Sequence, residues 1–488
     1  MMIPLAWMAP LMFGGLIVFM LIGYPVSFSL AAVGLFFGFI GIESGFFNFA
    51  LLQALPERVF GIMANDLLLA IPFFTFMGTI LERCGLAEDL LDAMGQLFGP
   101  VRGGLAYAVI MVGAVLGAIT GTVAASVIAM GLISLPIMMR YGYDMKLATG
   151  VIAASGTITQ LIPPSLVLVV LADQLGRSVG DLYAGAIGPS IIQVVLFCLY
   201  ILGVSFVKPD WVPALPKEFR TITGWPLVAK CLWGMVPSLI LIFLVLGTIL
   251  MGLATPTEGG AMGAVGAMAL AAMHRRLTWP LLRQGMESTM RISSMVIFIL
   301  IGSTVFSLVF RGVDGDLWIE HMLTALPGGV VGFLIFVNIF VFFLAFFLDF
   351  FEIAFIIIPL LAPAAAHIGI DLVWFGVLLC VNMQTSFMHP PFGFALFYLR
   401  GIAPPNVKSS DIYWGAFPWV FLQLLMALIV ILWPELVTSW IDKDVTIDPS
   451  KIQIQIQNPD DDSGTSDQDD PDALQRQMQD SAPTQPAR

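Results

Sequence analysis

Charge is what this chain lacks most. Only 11% of its 488 residues are charged, against about 25% in a typical soluble domain. That scarcity excludes a fold whose surface faces water throughout. The 58% hydrophobic content and mean hydropathy of +0.93 demand an apolar solvent instead. Cysteine is scarce as well: Cys84, Cys198, Cys231 and Cys380 lie far apart and form no CxxC pair. They read as small apolar helix residues, with neither a disulfide framework nor a metal site expected. No GxxxxGK[ST] occurs, so the chain is not expected to use a nucleotide itself. No HExxH occurs either, and His274, His321, His367 and His389 are scattered. The opening run from Leu5 to Ile22 has no basic n-region and no A-x-A site, and reads as a retained span rather than a signal peptide.

What is present is a succession of apolar runs of about 20 residues, each enough to cross a bilayer core as a helix. A β-barrel would show short alternating strands, so an all-α polytopic membrane protein is expected. The simple candidate spans are residues 5–22, 26–42, 66–81, 182–207, 229–251, 254–273, 292–310 and 413–433. Two stretches, 103–139 and 328–367, are nearly twice too long for one crossing, and read as re-entrant hairpins. Two more, 147–175 and 372–399, suit one crossing but carry a Pro-Pro pair at the middle. Beyond Trp440 the chain turns polar, with eleven Asp against Lys443, Lys451, Arg476 and Arg488, and is expected to be disordered.

The chain also repeats itself. With Pro163-Pro164 set on Pro390-Pro391, an offset of 227 residues, Pro136 falls on Pro363, Gly142 on Gly369 and Asp144 on Asp371. After a three-residue insertion, Asp181-Leu-Tyr183-Ala-Gly185-Ala186 matches Asp411-Ile-Tyr413-Trp-Gly415-Ala416. Such a collinear series marks a duplication, and two halves each holding an interrupted helix are the mark of a secondary transporter. If both long stretches are hairpins, five crossings separate equivalent points, and an odd number inverts the halves. The same arrangement collects fourteen basic residues on one side, leaving Arg58, Arg177 and Arg311 opposite, which assigns the richer side to the cytoplasm and the termini to the periplasm. The organisation expected is residues 1–65 as N-terminal scaffold spans, 66–210 as repeat 1, 211–290 as linking spans, 291–440 as repeat 2 and 441–488 as the acidic tail.

Three motifs carry candidate chemistry. In Ser155-Gly-Thr-Ile-Thr159-Gln-Leu-Ile-Pro163-Pro164-Ser165 the prolines open the helix and free backbone carbonyls in mid-membrane. A small cation could occupy those oxygens together with the hydroxyls of Ser155, Thr157 and Thr159. A plain proline kink, its carbonyls satisfied by Ser and Thr, is the competing account. The partner motif, Asn382-Met-Gln384-Thr385-Ser386-Phe-Met-His389-Pro390-Pro391-Phe-Gly393, is denser in polar groups, which favours the cation. His389 there could titrate, though a bystander role fits it as well. The third motif is the pair of hairpin middles, Thr120-Gly-Thr122 and Asp349-Phe-Phe-Glu352. Ionisable groups within a span are functional by default, and a carboxylate pair near the interface is the alternative. Thr255-Pro-Thr-Glu258 reads as a turn between spans.

Taken together, these motifs resemble the large membrane subunit of the tripartite ATP-independent periplasmic (TRAP) transporters over roughly residues 1–440. The resemblance rests on Gly23-Tyr-Pro25, Thr120-Gly-Thr122, Gly156-Thr-Ile-Thr-Gln-Leu-Ile-Pro-Pro-Ser165, Ala254-Thr-Pro-Thr-Glu258, and Pro390-Pro-Phe-Gly393 leading into Phe397-Tyr-Leu-Arg-Gly401. It implies an elevator-type, sodium-driven symporter of organic acids in the bacterial inner membrane. It also implies two partners, a periplasmic substrate-binding protein and a small four-helix membrane subunit, and no nucleic acid. By the same likeness one sodium site would use Thr120, Gly121, Thr122, Gly156, Thr157 and Pro163. The other would use Asp349, Asn382, Thr385, Ser386 and Pro390. An anionic substrate is expected between them, near Gln160, Ser165, Glu352, Gln384, His389 and Gly393. Family tips often read Ser-Gly-Ser where this chain has threonines, and the acidic tail is outside the pattern.

Three rivals compete with this reading. A stand-alone sodium- or proton-coupled carboxylate carrier of similar architecture would work without a binding protein. An intramembrane enzyme would need a facing partner for Asp349 and Glu352, which the sequence does not offer. A channel subunit would conduct without saturating.

Overall fold

The computed structural model describes residues 4–120, 122–216, 224–390 and 393–441, with only the backbone described for 86–89, 119 and 120. The tail beyond residue 441 and Gly121 therefore lie outside the described residues, as do Pro391 and Phe392. Every regular element among the described residues is helical. Among the described residues, eight helices are long and apolar enough to cross a membrane, or up to ten if each of two bent pairs is one span.

Helices α1 (Leu5–Ile22) and α2 (Val26–Glu43) open the chain. They are joined by Gly23 in a left-handed conformation, and by Pro25, which starts α2 with its φ preset. Two short helices follow, Ala50–Gln53 and Leu55–Met63, neither foreseen from hydropathy. The Ala50–Met63 segment meets the next crossing at a 49° bend. From there one succession of elements occurs twice. It begins with a crossing, α3 (Ala70–Arg83), and a short helix, α4 (Leu86–Phe98). Then come two helices in tandem, α5 (Gly104–Thr120) and α6 (Val123–Arg140). A broken pair, α7 (Met145–Thr157) and α8 (Leu166–Leu175), leads into the long α9 (Val179–Val207).

Helices α10 (Trp225–Leu250) and α11 (Pro256–Met273) link the halves, and Thr255 and Glu258 form a reciprocal capping box at the start of α11. The second succession is α12 (Trp279–Gly312), α13 (Gly315–Thr324) and α14 (Gly329–Leu344). A return arm of Phe350–Glu352 and a π-helical turn leads into α15 (Ile358–His367). The broken pair α16 (Leu372–Met383) and α17 (Phe394–Ile402) then precedes α18 (Ser409–Leu432). Helix α12 starts thirteen residues before the apolar run at Ile292. Thr278 caps it there and polar Arg283, Glu287 and Arg291 extend it past the hydrophobic stretch.

The repeated Gly and Asp positions have a local meaning. After α6, Gly142 sits at φ +75° and Tyr143 N–H donates to Met138 O; after α15, Gly369 sits at φ +83° and Ile370 N–H donates to Ala365 O. Both are left-handed helix stops that satisfy terminal carbonyls. Two residues on, Asp144 accepts from Lys146 and Leu147 N–H, and Asp371 accepts from Trp374 N–H, capping α7 and α16.

Helices α5 and α6 fold back on each other. The N–H of Leu105, at the start of α5, donates to Tyr143 Oη just beyond the end of α6. In the second half, His367 at the end of α15 returns to Glu320 of α13, 3.5 Å away, while α13 and α14 turn by 118°. The broken crossings run in opposite directions. Gly376, early in α16, packs against Leu175 at the end of α8, and Cys380, one turn later, donates to Gln160 O in the first break.

Small residues set the closest helix contact. A Cβ on Gly415 of α18 would lie 2.2 Å from Lys146 O, and one on Gly150 of α7 2.3 Å from Gly415 O. Such approach is how membrane helices gain packing where lipid gives no hydrophobic drive. Gly203 on α9 has nothing within 4 Å. Gly415→Ala is therefore expected to lose about 1–3 kcal/mol through overpacking, while Gly203→Ala leaves stability unchanged. Thermal unfolding of the two variants in detergent checks this.

Candidate functional site

The first break is built from the inside of the protein. Every residue from Leu147 to Thr157 is buried, a single 3-10 turn over Ile158–Gln160 follows, and regular structure resumes at Leu166. Pro163 and Pro164, both buried, supply no N–H and stop the ladder. Non-helical backbone at this depth is tolerated because protein surrounds it. One freed carbonyl is answered by a hydroxyl, Ser165 donating to Gln160 O, while Ser190 of α9 lies 3.2 Å from Leu161 O but donates more closely to Ala186 O at 2.7 Å. Thr157 donates to Ala154 O at 2.8 Å and Thr159 to Gly156 O at 2.6 Å. A hydroxyl that donates its only proton backward presents lone pairs forward, the polarity a cation needs. Ser165 additionally accepts from Val167 N–H as the cap of α8, so this candidate substrate contact is committed to structure here. The Ser155 hydroxyl and both ends of the Gln160 amide are buried without a partner.

The first hairpin clamps this break. A Cβ on Gly117 of α5 would lie 2.9 Å from Thr159 Cα, and one on Gly113 2.7 Å from Ser155 Cβ. From the other arm, Ser126 Oγ lies 3.2 Å from Thr159 Oγ1, and Val127 packs on Gly156. Thr122 begins that arm in extended conformation and makes no side-chain cap. Of its tip companions, Gly121 and the side chain of Thr120 lie outside the described residues.

The second break repeats the plan with other groups. All of α16 is buried, a 3-10 turn covers Gln384–Phe387, and α17 begins after Gly393, whose N–H donates to His389 O. Thr385 donates to Asn382 O and Ser386 to Met383 O, each at 2.7 Å. Asn382 Nδ2 donates to the side-chain and backbone oxygens of Asn338 on α14, at 2.9 and 2.8 Å. Its own Oδ1, and both ends of the Gln384 amide, are buried and unpartnered. Pro390 is half-buried at the end of this turn. His389 is stacked on Phe346 at 4.0 Å and edge-on to Phe342 at 4.4 Å, so the turn of the second hairpin rests on the second break.

Asp349 and Glu352 have a structural task. Asp349 Oδ1 accepts from Glu352 N–H at 2.9 Å, and Glu352 Oε2 accepts from Asp349 N–H at 3.0 Å. This reciprocal box starts the return arm of the hairpin. Each carboxylate keeps a second oxygen, so capping and ligation are compatible.

The two breaks are neighbours, since Cys380 touches Gln160 and stands one turn before Gln384. Three polar contributors went unremarked in the sequence: Asn338, Ser126 and Gln423. Gln423 of α18 is fully buried and donates to Thr157 Oγ1 at 2.9 Å.

A helical membrane protein with paired, protein-enclosed breaks facing hairpins has the build of a membrane transporter. Its fold is similar to that of the crystallised YdaH transporter of Alcanivorax borkumensis, with a TM-score of 0.57 at 14% identity, covering 80% of this chain and 90% of that one. The chain belongs to the tripartite ATP-independent periplasmic transporter DctM component family, whose pattern it matches over residues 13–436. It is 30% identical over 380 residues to the C4-dicarboxylate TRAP transporter large permease DctM of Pseudomonas aeruginosa, spanning 78% of this chain and 87% of that one. It is also 26% identical over 421 residues to the isethionate TRAP transporter permease DctMQ of Oleidesulfovibrio alaskensis, covering 86% of this chain and 64% of that longer protein.

Substitution separates capping by Asp349 from any part in ligation. Asp349→Asn keeps a good cap and is expected to hold stability, while Asp349→Ala loses about 1 kcal/mol. If the carboxylate also binds a cation, Asp349→Asn lowers uptake despite intact thermal unfolding. Parallel unfolding and uptake measurements read both effects.

Proposed function

We propose that this chain is the large membrane subunit of a sodium-coupled secondary transporter for an organic acid. The observation that carries the proposal is the pair of buried breaks, where hydroxyls donate backward and leave oxygen lone pairs facing inward. Sodium would occupy the first break through Thr157, Thr159, Ser155, Gly156 and Pro163, with Thr120, Gly121 and Thr122 closing from the hairpin tip. The second would use Asn382, Thr385, Ser386 and Pro390, with Asp349 from its own tip. The substrate carboxylate would sit between them near Gln160 and Gln384, whose unpaired amides supply donors. In this reading His389, Gly393 and Glu352 would border that space, with Ser165 capping α8 beside it. The start of a half-helix adds a favourable dipole for an anion.

In this reading the inverted halves move together, carrying the site across an inner membrane against a scaffold built from the remaining crossings. A periplasmic binding protein delivers the acid, and a small four-helix subunit completes the scaffold. The family's tripartite description supports those partners, and the C4-dicarboxylate and isethionate relatives support an organic acid. Their differing substrates leave the choice of acid to the delivering partner.

Sodium and substrate must each tighten the other's binding, because coupling is reciprocal. Uptake by the reconstituted three-component transporter in proteoliposomes is expected to fall at least about tenfold when sodium is replaced by choline. Uptake indifferent to that replacement would sink the coupling. Transport without the binding protein would favour a stand-alone carrier.

A further inference from the structure

The duplication continues past the segment where it is easiest to see. At the offset that sets Asp181-Leu-Tyr183 on Asp411-Ile-Tyr413, the single glutamine of α9, Gln193, falls on the single glutamine of α18, Gln423. Both side chains are completely buried in otherwise apolar helix. Gln423 donates to Thr157 Oγ1, while its Oε1 has no partner. Gln193 has no partner at either end. Buried amides without partners are costly, and two at equivalent positions call for a common cause.

We propose that Gln193 and Gln423 are a symmetry-related pair of positioning residues, each serving the break of the opposite half, with the link from Gln423 made in this structure and the link from Gln193 open.

The chain directions bring the pair together. Tyr183 Oη reaches Ser165 O and Ser190 Oγ reaches Leu161 O, so α9 runs back along the first break. Gly415 packs on Lys146 and Gln423 on Thr157, so α18 runs alongside α7 in the same direction. Helices α9 and α18 are therefore antiparallel, and they touch where Phe197 meets Trp419 edge-on at 4.9 Å. One turn further along that contact stand Gln193 on one helix and Gln423 on the other.

The contact with Thr157 has a definite polarity. Its hydroxyl proton is committed to Ala154 O, so the Gln423 N–H must donate, and one Oγ1 lone pair is left. Gln423 thus fixes the direction in which Thr157 offers that lone pair. In the other half the counterpart of Thr157, at the offset of 227 residues, is Gln384. The equivalent link would join Gln193 to Gln384. In this structure it is unmade, and the amide atoms of both residues are buried without partners. The first break is tied to the opposite half and the second is not.

The pair rests on the transport reading for its assay, and a double-mutant cycle keeps the two separable. Gln423→Met, Thr157→Val and the double variant are reconstituted with both partners, and acid uptake is titrated with sodium. Gln423→Met preserves shape and removes the hydrogen bond; Gln423→Leu stands in should the first not purify as a monodisperse protein. Gln423→Met is expected to raise the half-saturating sodium concentration roughly fivefold, the worth of one hydrogen bond. The double variant is expected to be no worse than Thr157→Val alone. Gln193→Met is expected to shift the sodium titration in the same direction. Additive effects of Gln423 and Thr157, or wild-type titrations for both glutamine variants, overturn the proposal. If wild-type uptake ignores sodium, the coupling reading fails, and the same cycle read on uptake at limiting acid still decides the pairing.

Discussion

A backbone that crosses a membrane must satisfy its own polar groups, and this protein leaves that undone in two places. Pro163-Pro164 and Pro390 stand where hydrogen-bonded ladders stop, next to buried helix segments. An unsatisfied peptide group in hydrocarbon costs several kcal/mol. The rest of the fold reads as the means of making those two places tolerable. The first halves of the broken crossings are buried from Leu147 and from Leu372 onward, hairpin residues pack against them, and Ser165, Thr157 and Thr159 donate to specific carbonyls. What remains is a set of buried side-chain atoms without partners on Ser155, Gln160, Asn382 and Gln384.

The two halves solve the same problem with different chemistry. The first break relies on hydroxyls and on glycines, Gly113 and Gly117, that admit the hairpin to contact. The second relies on amides, with Asn382 anchored to Asn338 across the hairpin and an aromatic box around His389. The two breaks thus share a backbone plan and differ in side-chain chemistry.

Much of this was legible in the sequence because it follows from residues with narrow conformational choices. Proline pairs dictated the breaks. Gly142 and Gly369 need a left-handed conformation, and Asp144 and Asp371 are helix caps two residues later, which is why the repeat shows most clearly there. Each run too long for one crossing holds two helical arms, α5 and α6 in the first, and α14 followed by the arm into α15 in the second. Short helices such as Leu86–Phe98 and Gly315–Thr324 were not foreseen, since a hydropathy window discards segments that carry charge. The Asp349/Glu352 capping box follows a known D-x-x-E spacing, but its membrane setting drew attention to charge instead of to capping. Asn338, Gln193 and Gln423 were hidden because one amide in an apolar run carries no pattern of its own. Only its tertiary neighbours reveal it.

The central claim is that the two breaks exist to hold cations. Electron cryo-microscopy maps of the complete transporter in sodium and in choline, at matched resolution and pH, test it most directly. The account requires sodium-dependent density among Ser155, Thr157 and Thr159 and again among Asn382, Thr385 and Ser386, with both crossings still open. Identical maps in the two salts, or helices running unbroken through Pro163 and Pro390, would contradict it.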